Sequence, residues 1–114
     1  MNGKANGIFL DGEVHPEPLV LVWFSAKWCG PCRRSQPVLE TLALRYQGRV
    51  KVIRVDVDMQ RELTASFSVR AVPTLVLIGQ SGELSRHMGV ASPTELTRWL
   101  DSSLEQQIEA GDMR

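Results

Sequence analysis

The chain contains two cysteines, Cys29 and Cys32, separated by a glycine and a proline in the stretch Trp28-Cys29-Gly30-Pro31-Cys32. Such a pair can clip a metal, form a fixed bridge, or cycle between dithiol and disulfide. A structural zinc site takes four ligands, and beyond these two thiols the chain offers only the solitary, widely separated His15 and His87. Covalent haem attachment requires a histidine directly after the second cysteine, where Arg33 stands. A permanent bridge across so short a loop removes little chain entropy and contributes little stability. Redox cycling has a positive mechanism. If Cys29 precedes the first turn of a helix, unpaired backbone N–H groups and the helix dipole point at its sulfur and favour the thiolate, which is the nucleophile. Cys32 then lies one turn on, within reach of Cys29, so a mixed disulfide can be resolved inside the chain. Gly30 permits a tight turn, and Pro31 suits a first helical turn because its missing N–H costs nothing there. Arg33 and Arg34 add positive charge beside the pair.

The elements that must hold the pair are legible from periodicity. Residues 19–24 (LVLVWF) form a continuous apolar run bounded by Pro18, as a strand buried on both faces should. In residues 30–46 the apolar Val38, Leu39, Leu42 and Tyr46 fall three or four apart, which predicts a helix, kinked by Pro37 and ended by Gly48. Residues 50–57 (VKVIRVDV) alternate as a second strand, and 60–67 read as a short helix. Residues 74–78 (TLVLI) predict a third strand, and turn residues at 79–82 lead to a fourth at 83–88. Ser92-Pro93-Thr94-Glu95 combines an N-cap serine, a proline at the first helical position and a glutamate three residues after the cap. Leu96, Trp99, Leu100, Leu104 and Ile108 then supply one apolar stripe. The order strand, helix, strand, helix, strand, strand, helix predicts an α/β fold with a mixed sheet covered by helices. Residues 8–110 are expected to form one domain, with residues 1–7, small and polar, frayed before it.

Composition narrows the function. The 114 residues suffice to bury a core without staples, and 13 basic residues cancel 13 acidic ones. No basic run is long enough to grip a phosphate backbone, which argues against nucleic acid as a partner. No stretch approaches about 20 apolar residues, so no transmembrane span is expected. Residues 1–18 lack the apolar core of a secretion signal; a cytoplasmic protein is expected, with a periplasmic one open if a leader has been removed.

These residues resemble the thioredoxin family from residue 18 to residue 104, and the WCGPC of residues 28–32, between a buried strand and a helix, is the most specific part of the likeness. Pro37 falls where that family kinks its active-site helix. Residues 46–48 resemble its turn into the next strand, and residues 55–58 the end of that strand. Val72-Pro73-Thr74 resembles its cis-proline segment, and Gly89-Val90 its glycine-containing loop. The resemblance implies a thioredoxin fold and a redox-active Cys29–Cys32 couple, with Cys29 the exposed attacker and Cys32 the shielded resolver. It implies that Pro73 is cis, faces the pair, and leaves backbone groups free to pair with an extended substrate strand. Trp28, Gly30, Pro31, Val72, Pro73, Gly89 and Val90 would form the substrate groove. Read alone, Pro73 would be an ordinary trans proline and Trp28 a core residue; the likeness reverses both. His87 joins no motif and reads as a solvated strand residue, with Cys–His activation through space as the alternative.

Two departures from that family stand out. It carries a buried aspartate six residues before the first cysteine, and here that position is Trp23, whose indole can only donate a hydrogen bond. The family's partner lysine falls at Arg54. Either Trp23 simply fills volume and Cys32 loses its proton to water, or the Arg54 guanidinium lies on the indole face, replaces the missing ion pair, and tunes the couple. The second departure is N-terminal: residues 8–18 are too short and proline-interrupted for the family's first helix, so a shortened N-terminal region is expected.

The resemblance implies a thiol–disulfide oxidoreductase that reduces protein disulfides, acting as a monomer on disulfide-containing proteins and recharged by thioredoxin reductase or another electron donor. No cofactor is needed, because the dithiol itself carries the electrons. An oxidant or specialised reductase with altered poise is the alternative, and a non-catalytic binding module using the same groove is a third reading.

Overall fold

The computed structural model describes residues 7–112; the fraying expected at the N-terminus lies, Gly7 apart, outside the described residues. The elements run β1 (Ile8–Leu10), β2 (Glu13–His15), β3 (Leu19–Ser25), α1 (Gly30–Arg45), β4 (Val50–Asp56), α2 (Arg61–Ser66), β5 (Thr74–Gly79), β6 (Gly82–Met88) and α3 (Pro93–Asp112). Every element expected from the sequence is present, with ends that differ by a few residues.

Four strands form the main sheet in the order β4-β3-β5-β6. β3 pairs parallel with β4 and antiparallel with β5, and β5 pairs antiparallel with β6. The central β3 is buried at all seven positions, which is why its sequence is apolar without alternation. Successive side chains of β3 and β5 point to opposite faces, so the core divides in two. On one face Leu19, Leu21, Trp23, Leu75 and Leu77 pack against Leu39, Leu42 and Tyr46 from α1 and its end, and against Leu96, Leu100 and Leu104 of α3. On the other, Val20, Val22, Phe24, Val76 and Ile78 pack against Ile8 and Leu10, with Leu63 and Phe67 from α2 and its end. Ile108, the last residue of the expected α3 stripe, lies outside the described side chains.

The N-terminal region is shortened as expected, but it has structure of its own. β1 and β2 form a hairpin, with Ile8 opposite His15 and Leu10 opposite Glu13. Asp11 and Gly12 both have positive φ, 50° and 84°, the backbone that a two-residue hairpin turn requires. Ile8 and Leu10 point inward and cover the sheet face that α2 leaves open.

α3 begins as its sequence announces. The Ser92 hydroxyl accepts the Glu95 N–H at 3.1 Å, and the Ser92 N–H donates to the Glu95 carboxylate at 2.9 Å. Its length is tied to the end of α1 by the Tyr46 hydroxyl, which donates to Asp101 at 2.6 Å. Burial first, and the Asp101 carboxylate second, push the Tyr46 phenol above its ordinary pKa.

Candidate active site

The disulfide sits where β3 hands the chain to α1. Cys29 is the N-cap of α1 in extended backbone, and its sulfur accepts the Cys32 N–H at 3.1 Å. One unpaired amide of the helix start, that of Cys32, therefore points at Cys29 Sγ, an arrangement that stabilises negative charge on that atom. Pro31 occupies the first turn, where no N–H is wanted. Cys29 and Cys32 are joined as a disulfide, with Cα atoms 5.2 Å apart. Pro37 lies inside α1, leaving the Arg33 carbonyl without an intrahelical donor.

Around the disulfide, Val72 and Val57 pack on the two cysteines and Ala26. The Val72–Pro73 peptide bond is cis. The Pro73 carbonyl accepts the Gly89 N–H at 2.9 Å, which joins the proline loop to the end of β6. Gly89 has φ of +92°, a conformation that a side chain would strain. Trp28 is 68% exposed, and its indole N–H donates to Asp58 at 2.8 Å, which fixes the ring at the surface. Val90 is also exposed, while Pro73 is buried and Val72 half-buried.

Residues 7–102 match the model of the thioredoxin family. The chain belongs to that family. Thioredoxin 1 of Nostoc sp. is 34% identical over 85 residues, which span 75% of this chain and 79% of that one. Thioredoxin of Haemophilus influenzae is 35% identical over the same length and coverage. Among solved structures, Fasciola hepatica thioredoxin superposes with a TM-score of 0.69 at 39% identity, covering 75% of this chain and 82% of that one. The mixed sheet flanked by helices is thus the thioredoxin fold, and the Cys29–Cys32 disulfide at the head of α1 makes the chain a thiol–disulfide oxidoreductase of the protein-disulfide reductase type. Membership of the thioredoxin family implies disulfide-containing protein substrates and a reductant that recharges the pair. No described helix is long and apolar enough to cross a membrane.

Two expectations need correction. The contrast between an exposed Cys29 and a shielded Cys32 is absent: Cys29 is only 4% exposed and Cys32 2%. In the disulfide, the Cys29 sulfur is bonded to its partner and accepts the Cys32 N–H, and Val57 and Val72 pack against the pair and Ala26. His87 is half-buried rather than solvated. Its ring lies 6.4 Å from that of Trp99 on α3, and its Nε2 has no hydrogen-bond partner among the described residues.

Beneath the site, Trp23 is 4% exposed and lines a small cavity with Ser35, Pro73 and Gly89. Trp23 and Arg54 are register partners in the parallel β3–β4 ladder. The Arg54 guanidinium carbon lies 5.1 Å from the centroid of the Trp23 ring, so the cation–π contact considered from the sequence is formed. Sequence reasoning missed what aims that guanidinium: its Nε donates to the Ser25 hydroxyl at 3.2 Å. Ser25 and Trp23 point to the same face of β3, two residues apart, and Arg54 bridges them. It missed Asp58 as the partner of Trp28 too. Both contacts join residues about 30 apart in sequence, and only the strand register brings them together.

Proposed function

We propose that Cys29 is the attacking thiol and Cys32 the resolving one in the reduction of protein disulfides. The observation that carries this assignment is the Cys32 N–H directed at Cys29 Sγ at the start of α1, which favours the Cys29 thiolate over the thiol. The thiolate attacks one sulfur of a substrate disulfide; that S–S bond breaks, the departing substrate sulfur takes a proton, and Cys29 holds the other substrate sulfur in a mixed disulfide. Cys32, deprotonated, then attacks Cys29 Sγ. The second substrate thiol leaves, and the Cys29–Cys32 disulfide carries away the two electrons' worth of oxidation. Thioredoxin reductase or an equivalent donor returns the pair to the dithiol.

The substrate groove of this reading is Trp28, Gly30, Pro31, Val72, Pro73, Gly89 and Val90. Val72 supports it: its backbone N–H and C=O make no hydrogen bond among the described residues, so an extended substrate segment can add there as a short strand. The Pro73 carbonyl is already taken by Gly89 and is not part of that edge. Trp23 and Arg54 act as tuning residues: the indole accepts no proton from Cys32, and the guanidinium above it favours thiolate. That contact is also what favours the alternative of a shifted redox poise. We further read residues 8–110 as one domain, monomeric and cytoplasmic.

The test is a pair of trapping variants. Cys32→Ser should accumulate mixed disulfides with substrate proteins through Cys29, releasable by dithiothreitol, whereas Cys29→Ser should accumulate none. Equal trapping by both variants would refute the assignment of roles.

A further inference from the structure

Charge around the disulfide is mostly of one sign. Lys27 stands two residues before Cys29, Arg33 and Arg34 follow Cys32, and Arg70 stands two residues before Val72; all four are exposed. Arg33 and Arg34 of α1 fold back toward the head of the helix, as helical side chains lean. Arg33 Nη2 donates to the Lys27 carbonyl at 2.8 Å. A guanidinium nitrogen of Arg34 lies 3.9 Å from where a Cβ on Gly30 would stand. Their charge is therefore held against the disulfide loop instead of being spread along α1.

Little on the protein neutralises it. The first turn of α1 contains no acidic residue, and among the described residues none of the four cations forms an ion pair. Asp58 is the acid seen beside the site: its carboxylate accepts the Trp28 indole N–H and keeps its charge, which offsets one of the four cations, while Asp56 accepts the backbone N–H groups of Asp58 and Met59. The whole chain carries as many acids as bases. A basic rim at the disulfide is thus matched by an acidic excess elsewhere, and the molecule has an electrostatic front.

From this placement we propose that the rim of Lys27, Arg33, Arg34 and Arg70 selects substrates, so that disulfides flanked by aspartate or glutamate are reduced faster than disulfides flanked by lysine or arginine. The proposal rests on the reading above, that the pair reduces protein disulfides. A substrate segment lying along Val72 would bring its flanking side chains near Arg70, two residues before Val72, and near Arg33 and Arg34 beside the cysteine pair. Guanidinium groups meet carboxylates through paired N–H donors and repel cations. Because the rim is exposed, its main effect is on encounter, and salt screens it.

The experiment uses the reduced full chain and two cyclic peptides, each closed by one disulfide and identical except for glutamates or lysines beside the cysteines. Second-order rate constants are measured at about 20 mM and about 500 mM NaCl, across which screening becomes several times stronger. The same rates are measured for the double variant Arg33→Gln/Arg34→Gln, and the ratio of acidic to basic peptide is compared between the two proteins, so that each peptide's own reactivity cancels. We expect that ratio to be about tenfold larger for the unaltered chain at low salt and to converge on that of the variant at high salt. An equal ratio in the two proteins, or a difference that salt does not diminish, would overturn the selection while leaving the reductase reading intact. If neither peptide is reduced by either protein, the reductase reading fails and this proposal fails with it.

Discussion

Trp23 has no proton-accepting atom, so in the proposed resolving step it cannot take the proton that Cys32 must lose. What Trp23 does contribute is volume and a face for Arg54. Nearly fully buried between α1 and the sheet, it should cost about 3–5 kcal/mol when replaced by alanine, read by urea denaturation. Arg54 is exposed, and its contact with the ring should be worth no more than about 1 kcal/mol. Its electrical effect is separable from its effect on stability. A cation near the sulfurs favours thiolates and hence the reduced form, which makes the couple more oxidising. Arg54→Met is therefore expected to leave the urea midpoint nearly unchanged and to move the Cys29–Cys32 midpoint toward more reducing values. An unmoved redox midpoint in that variant would reduce Arg54 to a packing residue. Ser25→Ala, which releases the guanidinium, should move the midpoint in the same direction by a smaller amount.

Among the elements, α3 offers a pH-dependent prediction whose sign can be worked out. The Ser92 backbone N–H, followed by the Ser92 hydroxyl, holds the Glu95 carboxyl below its ordinary pKa. A carboxyl depressed in the folded state stabilises it above the unfolded pKa, and that contribution is lost as pH falls through the folded value. Acidification below the usual carboxylate range should thus fray the first turn of α3, seen as faster amide exchange at Ser92 once the intrinsic pH effect is divided out. Glu95→Gln should flatten that profile, and an unchanged profile would remove Glu95 from the cap. The cap was legible in the sequence because its whole pattern lies within four residues. The long elements were legible too: β3 is buried on both faces, and α1 repeats its apolar residues at helical spacing. The β1–β2 hairpin was not recognised, because each arm has only three residues and carries almost no periodic signal. Its turn did leave a mark, since Asp11-Gly12 is the dipeptide that a two-residue turn favours. Contacts made by register, such as Arg54 with Ser25 or Trp28 with Asp58, leave no such mark.

On the scale of the whole molecule, the fold places one reactive bond at the junction of a fully buried strand and a helix start, with Val72 packed on the cysteine pair and the next residue, Pro73, hydrogen-bonded to Gly89 just after β6. The Cys29–Cys32 pair and the cis bond before Pro73 could be read from the sequence and its likeness to a family. The burial of Cys29 could not, because the residues packed against the pair, Val57 and Val72, lie far from it in sequence. The half-burial of His87 likewise follows from α3 lying over β6. The sheet is packed on both faces, and the disulfide lies beyond the end of its strand β3. The account stands or falls on whether that bond cycles, and in which direction. The most direct test is to equilibrate the chain with glutathione buffers of graded poise, alkylate the free thiols and count them, using the fluorescence of the exposed Trp28 as a second reading. The account predicts one reversible two-electron transition, more reducing than the glutathione couple, that disappears in Cys29→Ser. A transition as oxidising as that of a disulfide-forming oxidant, or a disulfide that no buffer opens, would contradict it.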